Sequence, residues 1–571
     1  MDIDPSETGQ KKVTMEEKKL VDAKKLSNKD LYQKQLKRIT EEELNKLTPK
    51  DLQVAAIYRQ MSAGYALNTQ YIKNKDVTEK EYAFVSEHLD ELPGVDVSTD
   101  WERGYKYGST LRSVLGAVTT SDEGLPKEEE QKFVALGYNR NERVGKSYIE
   151  KQYEDVLQGQ KEKVKNVTFN GSTIETETVR EGTRGNDLVL TVDMDLQSEV
   201  DKIVTEELLK TKETHRDTPF LDRAYAMLMD PFTGDILAMS GKRLVVDKET
   251  NTRKIMDDAL GTFTTSYTNG SVVKGATVLT GYQTGAISPG NKERDEPIIL
   301  KDTPIKKSYR TFGWINDLEA LKFSSNVYMF KTAMKIGGTH YVPNGYLNIN
   351  PEAFNVMRKN FSQFGLGVKT GIDLPNESSG FHTNSKISGL LLDLAIGQFD
   401  TYTPLQLVQY VSTIANGGYR IKPHLAKEIR QPGEKYDELG PLLTEIQPQV
   451  LNRLDMKQEW IERVQEGFRQ VMQVPGGTGY RVFGNKPYKP AGKTGTAQAF
   501  YDGPGHKKGE IPPPTWNITL VAYAPYDHPE VAMSVVVPWA YQSTDPGTSK
   551  AIGSRVLDAY FDLKKKRNSQ R

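Results

Sequence analysis

The stretch "NITLVAYAPYDHPEVAMSVVVPWA", residues 517–540, holds two apolar runs separated by Pro525, Asp527, His528 and Glu530. Each run has strand length and is rich in Val, Ile, Thr, Tyr and Trp. The runs read as neighbouring strands of an antiparallel sheet, buried in the protein. "TSKAIGSRVLDAYFDLKKK", 548–566, follows as a helix that would cover this sheet. "RAYAMLMDPFTGDILAMSG", 223–241, gives two more strands about a turn at Pro231–Gly234. Between lies a mainly helical middle, about 260–475, and strands return near 481–540. Strands from both ends enclosing a helical lobe make an α+β fold.

"NDLVLTVDMDLQSEVDKIVTEELLK", 186–210, is a strand running into an amphipathic helix, and a domain boundary is expected near residue 185. Upstream, residues 14–92 are charged and read mostly as helix, including 40–72 and a Thr-x-x-Glu cap opening 76–92. Residues 129–156 are also expected to be helical. "KVKNVTFNGSTIETETVREG", 163–182, alternates and turns at Asn170-Gly171, a hairpin signal. The closing "DLKKKRNSQR" is expected to be a solvated, frayed end.

The 571 residues carry 76 Lys plus Arg against 76 Asp plus Glu. That balance argues against nucleic acid as a partner. Seven histidines lack ligand spacing, so no metal is expected, and the absence of cysteine removes thiolate chemistry and disulfides. No cofactor is called for. No run of 18 apolar residues is present.

Three short motifs carry chemistry. In "TNGSVVKGATV", 268–278, Ser271 and Lys274 fall one helical turn apart on one face. A desolvated lysine there can take the serine's proton, and amides at a helix start can hold an oxyanion. Val272 and Val273 would pack inward and exclude water. In "LKFSSNVYM", 321–329, Ser324 offers a relay hydroxyl and Asn326 an amide, although such a pair equally suits an N-cap. In "KPAGKTGTAQAF", 489–500, Thr494 and Thr496 share a strand face suited to a carboxylate, and Gly495 permits close backbone approach. Alternation puts Lys493 on the opposite face, which twist or an edge position must reconcile. Lys369-Thr370-Gly371 repeats the letters within a loop and reads as a look-alike.

Ser-x-x-Lys, Ser-x-Asn and Lys-Thr-Gly in this order, 53 and then 169 residues apart, resemble the penicilloyl-serine transferases. "ERGYKYGSTLRSVLGAV", "MDPFTGDILAMSG" and "TPLQLVQYVSTIANGG" extend the resemblance to class B penicillin-binding proteins. It is closest to their elongation-type, penicillin-binding protein 2b-like branch in Gram-positive bacteria. The resemblance implies a pedestal or dimerisation-type domain, 1–185, and a transpeptidase domain, 186–571. It implies a single-pass membrane anchor, absent from this chain, and a location on the outer face of the cell membrane. The implied reaction is DD-transpeptidation of stem peptides ending in D-Ala-D-Ala through a serine acyl-enzyme, which β-lactam antibiotics intercept.

On this resemblance Ser271 is the nucleophile and Lys274 its base. Ser324 relays a proton with help from Lys493, and Asn326 contacts the substrate amide. Thr494, Gly495 and Thr496 bind substrate, and the amides of Ser271 and Thr496 form the oxyanion hole. A RodA-like glycosyltransferase and other elongation-complex proteins are the implied partners. The rival readings are a serine β-lactamase, a DD-carboxypeptidase and a non-catalytic β-lactam sensor. A lactamase of class A needs a glutamate that positions water, and "EEELN" at 41–45 lies far upstream in a helical region.

Overall fold

The computed structural model describes residues 13–570, apart from 24–25, 63–69, 98–100, 170–171, 248, 251, 436, 504 and 508. Six strands build the principal sheet: β1 (Arg223–Met229), β2 (Ile236–Val246), β3 (Arg253–Asp257), β4 (Ala491–Phe500), β5 (Pro514–Ala524) and β6 (Val531–Tyr541). Their order is β4-β5-β6-β1-β2-β3, and every neighbouring pair is antiparallel.

The near-continuous apolar character of β1, β5 and β6 follows from cover on both faces. Tyr225, Met227 and Met229 of β1 join one core with Val521 and Tyr523 of β5. The alternate Ala224, Ala226 and Leu228 join a second core with Leu520, Ala522, Val535 and Val537. That is the period-two division of a strand between two packed layers. On the second side lie α1 (Met194–Thr214) and α6 (Thr548–Gln570), which contribute Val200, Val204, Leu208, Ile552 and Val556.

The first side carries the helical lobe: α2 (Lys274–Gln283), α3 (Asn326–Ile336), α4 (Pro404–Ala415) and α5 (Gln458–Gln473). Every residue of α4 is buried, and a Thr403/Gln406 capping box with Pro404 in the first turn fixes its start. Its buried Gln406 and Gln409 donate to backbone carbonyls, as buried polar side chains must.

Several expectations need correction. Residues 129–156 form three short helices, Glu130–Ala135, Tyr148–Gln152 and Glu154–Leu157, rather than one long one. Gly137 at φ +94° ends the first, and a Cβ at Gly145 would collide with the Glu150 carbonyl. The predicted helix over 40–72 breaks into Glu41–Leu44 and Pro49–Ser62, because Pro49 can start a helix but not continue one. The helical middle also contains small antiparallel pairings, such as Ala426–Pro432 with Leu439–Glu445. The strand expected from about 481 begins at Ala491, after a helical turn at Tyr480–Phe483.

The C-terminal tail is not frayed. α6 runs on to Gln570, with Arg567 bonded to both Asp193 and Asp195 at the start of α1, and Lys564 to Glu530. The hairpin strands Lys163–Phe169 and Ser172–Arg180 pair as expected, and their turn at Asn170-Gly171 lies outside the described residues.

By contacts the chain divides into two compact units: residues 1–104 with 119–143, and residues 105–118 with 144–571. This division runs elsewhere than the change of texture at residue 185. The first unit is built from short, polar, well-capped helices, including capping boxes at Thr14/Glu17, Thr40/Glu43 and Thr78/Glu81. Among the described residues, no helix is long and apolar enough to cross a membrane, and no group of side chains could hold a metal ion.

Candidate active site

Ser271 stands in a 3-10 turn, Gly270–Val273, that hands over to α2 at Lys274. A 3-10 turn eclipses positions three apart, so it stacks Ser271 and Lys274 more directly than an α-turn would. Val272 and Val273 are fully buried and seal the turn from below, as their apolar character predicts. Tyr410 of α4 accepts the Ala276 amide at 3.3 Å and donates to the Val272 carbonyl at 3.0 Å, pinning the change of helix type.

Gly270 has φ +60°, and a Cβ there would collide with the Thr496 carbonyl of β4. A Cβ at Gly495 would strike the Thr519 hydroxyl and would lie 2.5 Å from the Asn269 carbonyl. Glycine at both positions lets the edge strand and the serine turn touch backbone to backbone. Thr519 donates to the Asn269 carbonyl at 2.7 Å, and Asn517 donates to the Thr268 carbonyl at 3.0 Å. These bonds from β5 hold the turn against the sheet. β4 has a neighbour on one side only, so its other edge is open to an extended peptide.

Ser324 lies between a helix, Asp317–Lys322, and α3. It has φ +57°, a left-handed backbone that non-glycine residues rarely adopt. Ser325, not Ser324 or Asn326, takes the N-cap, accepting the Tyr328 amide at 3.0 Å. The Lys274 amine reaches the Ser324 carbonyl at 2.8 Å, the Asn326 Oδ1 at 2.7 Å and the Ser324 hydroxyl at 3.3 Å. Lys493 reaches the same hydroxyl at 2.8 Å and the Thr494 carbonyl at 2.9 Å.

One hydroxyl therefore sits between two amines. The expected alternation stands: Lys493 points inward from an edge strand, toward Ser324. Thr494 stands on the other face of β4, bonded to Thr478 at 2.6 Å, and both Thr494 and Thr496 are half-buried. Ser271 is half-buried, and its hydroxyl makes no hydrogen bond among the described residues.

Both lysines are fully buried. Burial drives Lys274 well below its ordinary pKa; the charge of Lys493 pushes the same way and Asp295 opposes. Burial alone brings Lys493 down to about 7. Neither amine is hydrogen-bonded to a carboxylate among the described residues, so neither is locked in its charged form. A neutral amine one helical turn from a free serine hydroxyl, joined to a second amine through a hydroxyl, can accept, hold and return a proton.

Sequence reasoning missed Asp295, Ser308, Ser325 and Thr478. The buried Asp295 carboxylate accepts from Ser308 at 2.7 Å and from Ser325, and Ser308 in turn accepts the Asn326 and Val327 amides at 2.9 and 3.2 Å. This network fixes the segment that carries Ser324 and Asn326. A buried acid among short polar strands gives no motif, and only its pairing across 30 residues shows its use. The look-alike Lys369-Thr370-Gly371 serves differently, with the Thr370 hydroxyl and amide bonded to Glu377, each at 2.5 Å.

Comparison with known proteins bears on this geometry. Residues 224–558 match the model for the penicillin binding protein transpeptidase domain, and residues 7–190 that for the penicillin-binding protein dimerisation domain. The chain is 54% identical to penicillin-binding protein 2A of Bacillus subtilis, over 98% of its own length and 78% of that protein. It is similar to the solved structure of penicillin-binding protein 2B from Streptococcus pneumoniae, with 31% identity and a TM-score of 0.78, covering 96% of this chain and 86% of that one. More distantly, it is 25% identical to the peptidoglycan D,D-transpeptidase MrdA of Escherichia coli, over 89% of this chain and 78% of that protein.

Proposed function

The chain belongs to the class B penicillin-binding proteins, and on that footing we propose that Ser271 is the residue acylated when it cross-links peptidoglycan. The activity of the chain is serine-type D-Ala-D-Ala transpeptidation in cell-wall synthesis, and it is a target of β-lactams. The assignment of residues rests on one observation above all: two fully buried amines, Lys274 and Lys493, share the hydroxyl of Ser324.

In the first half-reaction, Ser271 Oγ attacks the carbonyl carbon between the two terminal D-alanines while its proton passes to neutral Lys274. The oxyanion is held by the amides of Ser271 and Thr496. The tetrahedral centre collapses, the C–N bond breaks, and the nitrogen of D-alanine leaves with a proton delivered through Ser324. Lys493 supports this transfer electrostatically, and Thr494 and Thr496, across Gly495, take the terminal carboxylate. Asn326 holds Lys274 in place and contacts the substrate amide.

In the second half-reaction an amine from a neighbouring strand attacks the ester. Its proton returns to the lysine–serine relay, and Ser271 is released. β-Lactams enter the first half-reaction and stay as the acyl-enzyme. No carboxylate is hydrogen-bonded to Ser271, Lys274 or Ser324 among the described residues, which supports a slow hydrolysis step rather than a lactamase.

We further propose residues 1–185 as the pedestal and 186–571 as the catalytic domain, working at the outer face of the cell membrane in wall elongation beside a RodA-like glycosyltransferase. The test is labelling with fluorescent penicillin, followed by intact mass. Wild type should gain the mass of one penicilloyl group and keep it, and Ser271→Ala should not label. Labelling that survives the substitution would remove Ser271 from its role.

A further inference from the structure

A cation stands beside the Ser324 segment that the reaction above does not use. The segment from Lys306 to Phe312 is tied to the catalytic region by Ser308, whose hydroxyl accepts the Asn326 and Val327 amides and donates to Asp295. The Lys307 carbonyl accepts from the Asn326 side chain at 3.3 Å. Two residues past Ser308, the exposed Arg310 lays its guanidinium 4.7 Å from the Phe312 ring centre and 5.9 Å from that of Phe323. Phe312 and Phe323 are stacked, 5.0 Å apart and 8° from parallel, and Tyr309 meets Phe312 edge-on at 5.3 Å. Phe323 immediately precedes Ser324.

Stacked rings hold a guanidinium by its face and leave its N–H edge free. Arg310 forms no ion pair among the described residues, whereas Lys306, four positions earlier, is paired with Asp393 at 2.6 Å. A planar, pre-oriented cation with no acid of its own, joined through Phe323 to the relay serine, is a receptor for a carboxylate, which it can take in two parallel hydrogen bonds.

Resting on the function proposed above, we infer that Arg310, backed by Phe312 and Phe323, is a specificity-determining residue that binds a carboxylate of the peptide substrate other than its C-terminal one. The C-terminal carboxylate falls to Thr494 and Thr496, on β4. Arg310 stands on the α3 side and reads a side-chain or branch carboxylate. That group belongs to the donor stem peptide or to the acceptor strand, and the two are separable by experiment.

The experiment uses the whole chain as wild type, Arg310→Gln and Arg310→Lys. In the donor arm, kcat/KM for acylation is measured with a peptide thioester that carries a free side-chain carboxylate and with its carboxamide twin. In the acceptor arm, acyl-enzyme is partitioned between water and a peptide amine, again as acid and carboxamide. Wild type should prefer the acid by about five- to ten-fold in one arm, which identifies the strand being read. Arg310→Gln should reduce that preference to about one, and Arg310→Lys should keep part of it, having the charge without the fork.

Absence of a preference in both arms, or a preference that survives in Arg310→Gln, overturns the inference. Failure of wild type to be acylated by either thioester, or acylation of Ser271→Ala, would instead strike the function reading, and the inference would go with it.

Discussion

Two buried lysines on opposite sides of the sheet have opposite fates. Lys242 of β2 lies 2.9 Å from Asp201 and 3.7 Å from Asp257, and Asp201 also takes hydrogen bonds from Gln197 and Ser240. Lys274 has a carbonyl, an amide oxygen and a hydroxyl, and the nearby acid Asp295 is engaged with two serines. The first lysine is ion-paired and clamps α1 to the sheet. The second, in the function proposed, is the base, since neutral acceptors hold an amine in place without holding its proton. Burial can make a lysine a base only where no carboxylate pairs with it.

The comparison breaks first at activity. Lys274→Gln should slow penicillin acylation by about three to four orders of magnitude, with Ser271→Ala lower still, read by stopped-flow labelling. Lys242→Met should instead leave acylation by the folded fraction close to wild type. It should cost about 3–5 kcal/mol of stability in denaturant titration, since Asp201 and Asp257 would stay buried without their cation. If Lys242→Met acylated as slowly as Lys274→Gln, the distinction between clamp and base would fall.

Removing the shared hydroxyl is the next step down. Ser324→Ala should lower acylation by about a hundred-fold, or about 2.7 kcal/mol, while leaving the fold intact by circular dichroism.

The pH response separates the two amines. Lys274 must be neutral, so acylation is lost as pH falls through its lowered pKa. Lys493 assists as a cation, so its contribution is lost as pH rises through about 7. The rate should therefore be bell-shaped, and Lys493→Gln should remove the alkaline limb. Linkage gives a matching sign in stability. The folded state holds fewer protons at Lys274 than the unfolded chain does, so wild type should gain stability relative to Lys274→Met as pH rises toward 10.5.

The smallest effect belongs to Asp295→Asn. Its carboxylate raises the pKa of Lys274 against the effect of burial, so the acidic limb should move to lower pH. The maximal rate should fall about ten-fold as the Ser308–Ser325 network loosens. A limb that moved to higher pH would contradict the charge assignment.

The motifs were legible because the chemistry requires particular side chains at fixed spacing, and β1, β5 and β6 because two-sided burial writes apolar letters at nearly every position; β3, with Arg253, Lys254 and Asp257 at a half-exposed sheet edge, leaves no such run. The clamp around Lys242 was not legible, since Asp201, Lys242 and Asp257 sit in three different elements and share no spacing. The left-handed Ser324 was also hidden: nothing in "FSSN" announces a positive φ at serine. The inward reach of Lys493 needed the strand's place at the sheet edge, which only the pairing of β4 supplies. Long helices were over-read at 40–72 and 129–156 because charge and periodicity persist where proline and glycine end the hydrogen-bond ladder.

Arg567, near the end of α6, grips Asp193 and Asp195, where α1 begins. The last helix thus returns to the start of α1, the other helix that covers the same face of the sheet. For protein engineering this marks a place where a chain without cysteine can take an engineered cross-link between its two covering helices, on the face of the sheet opposite the motif residues.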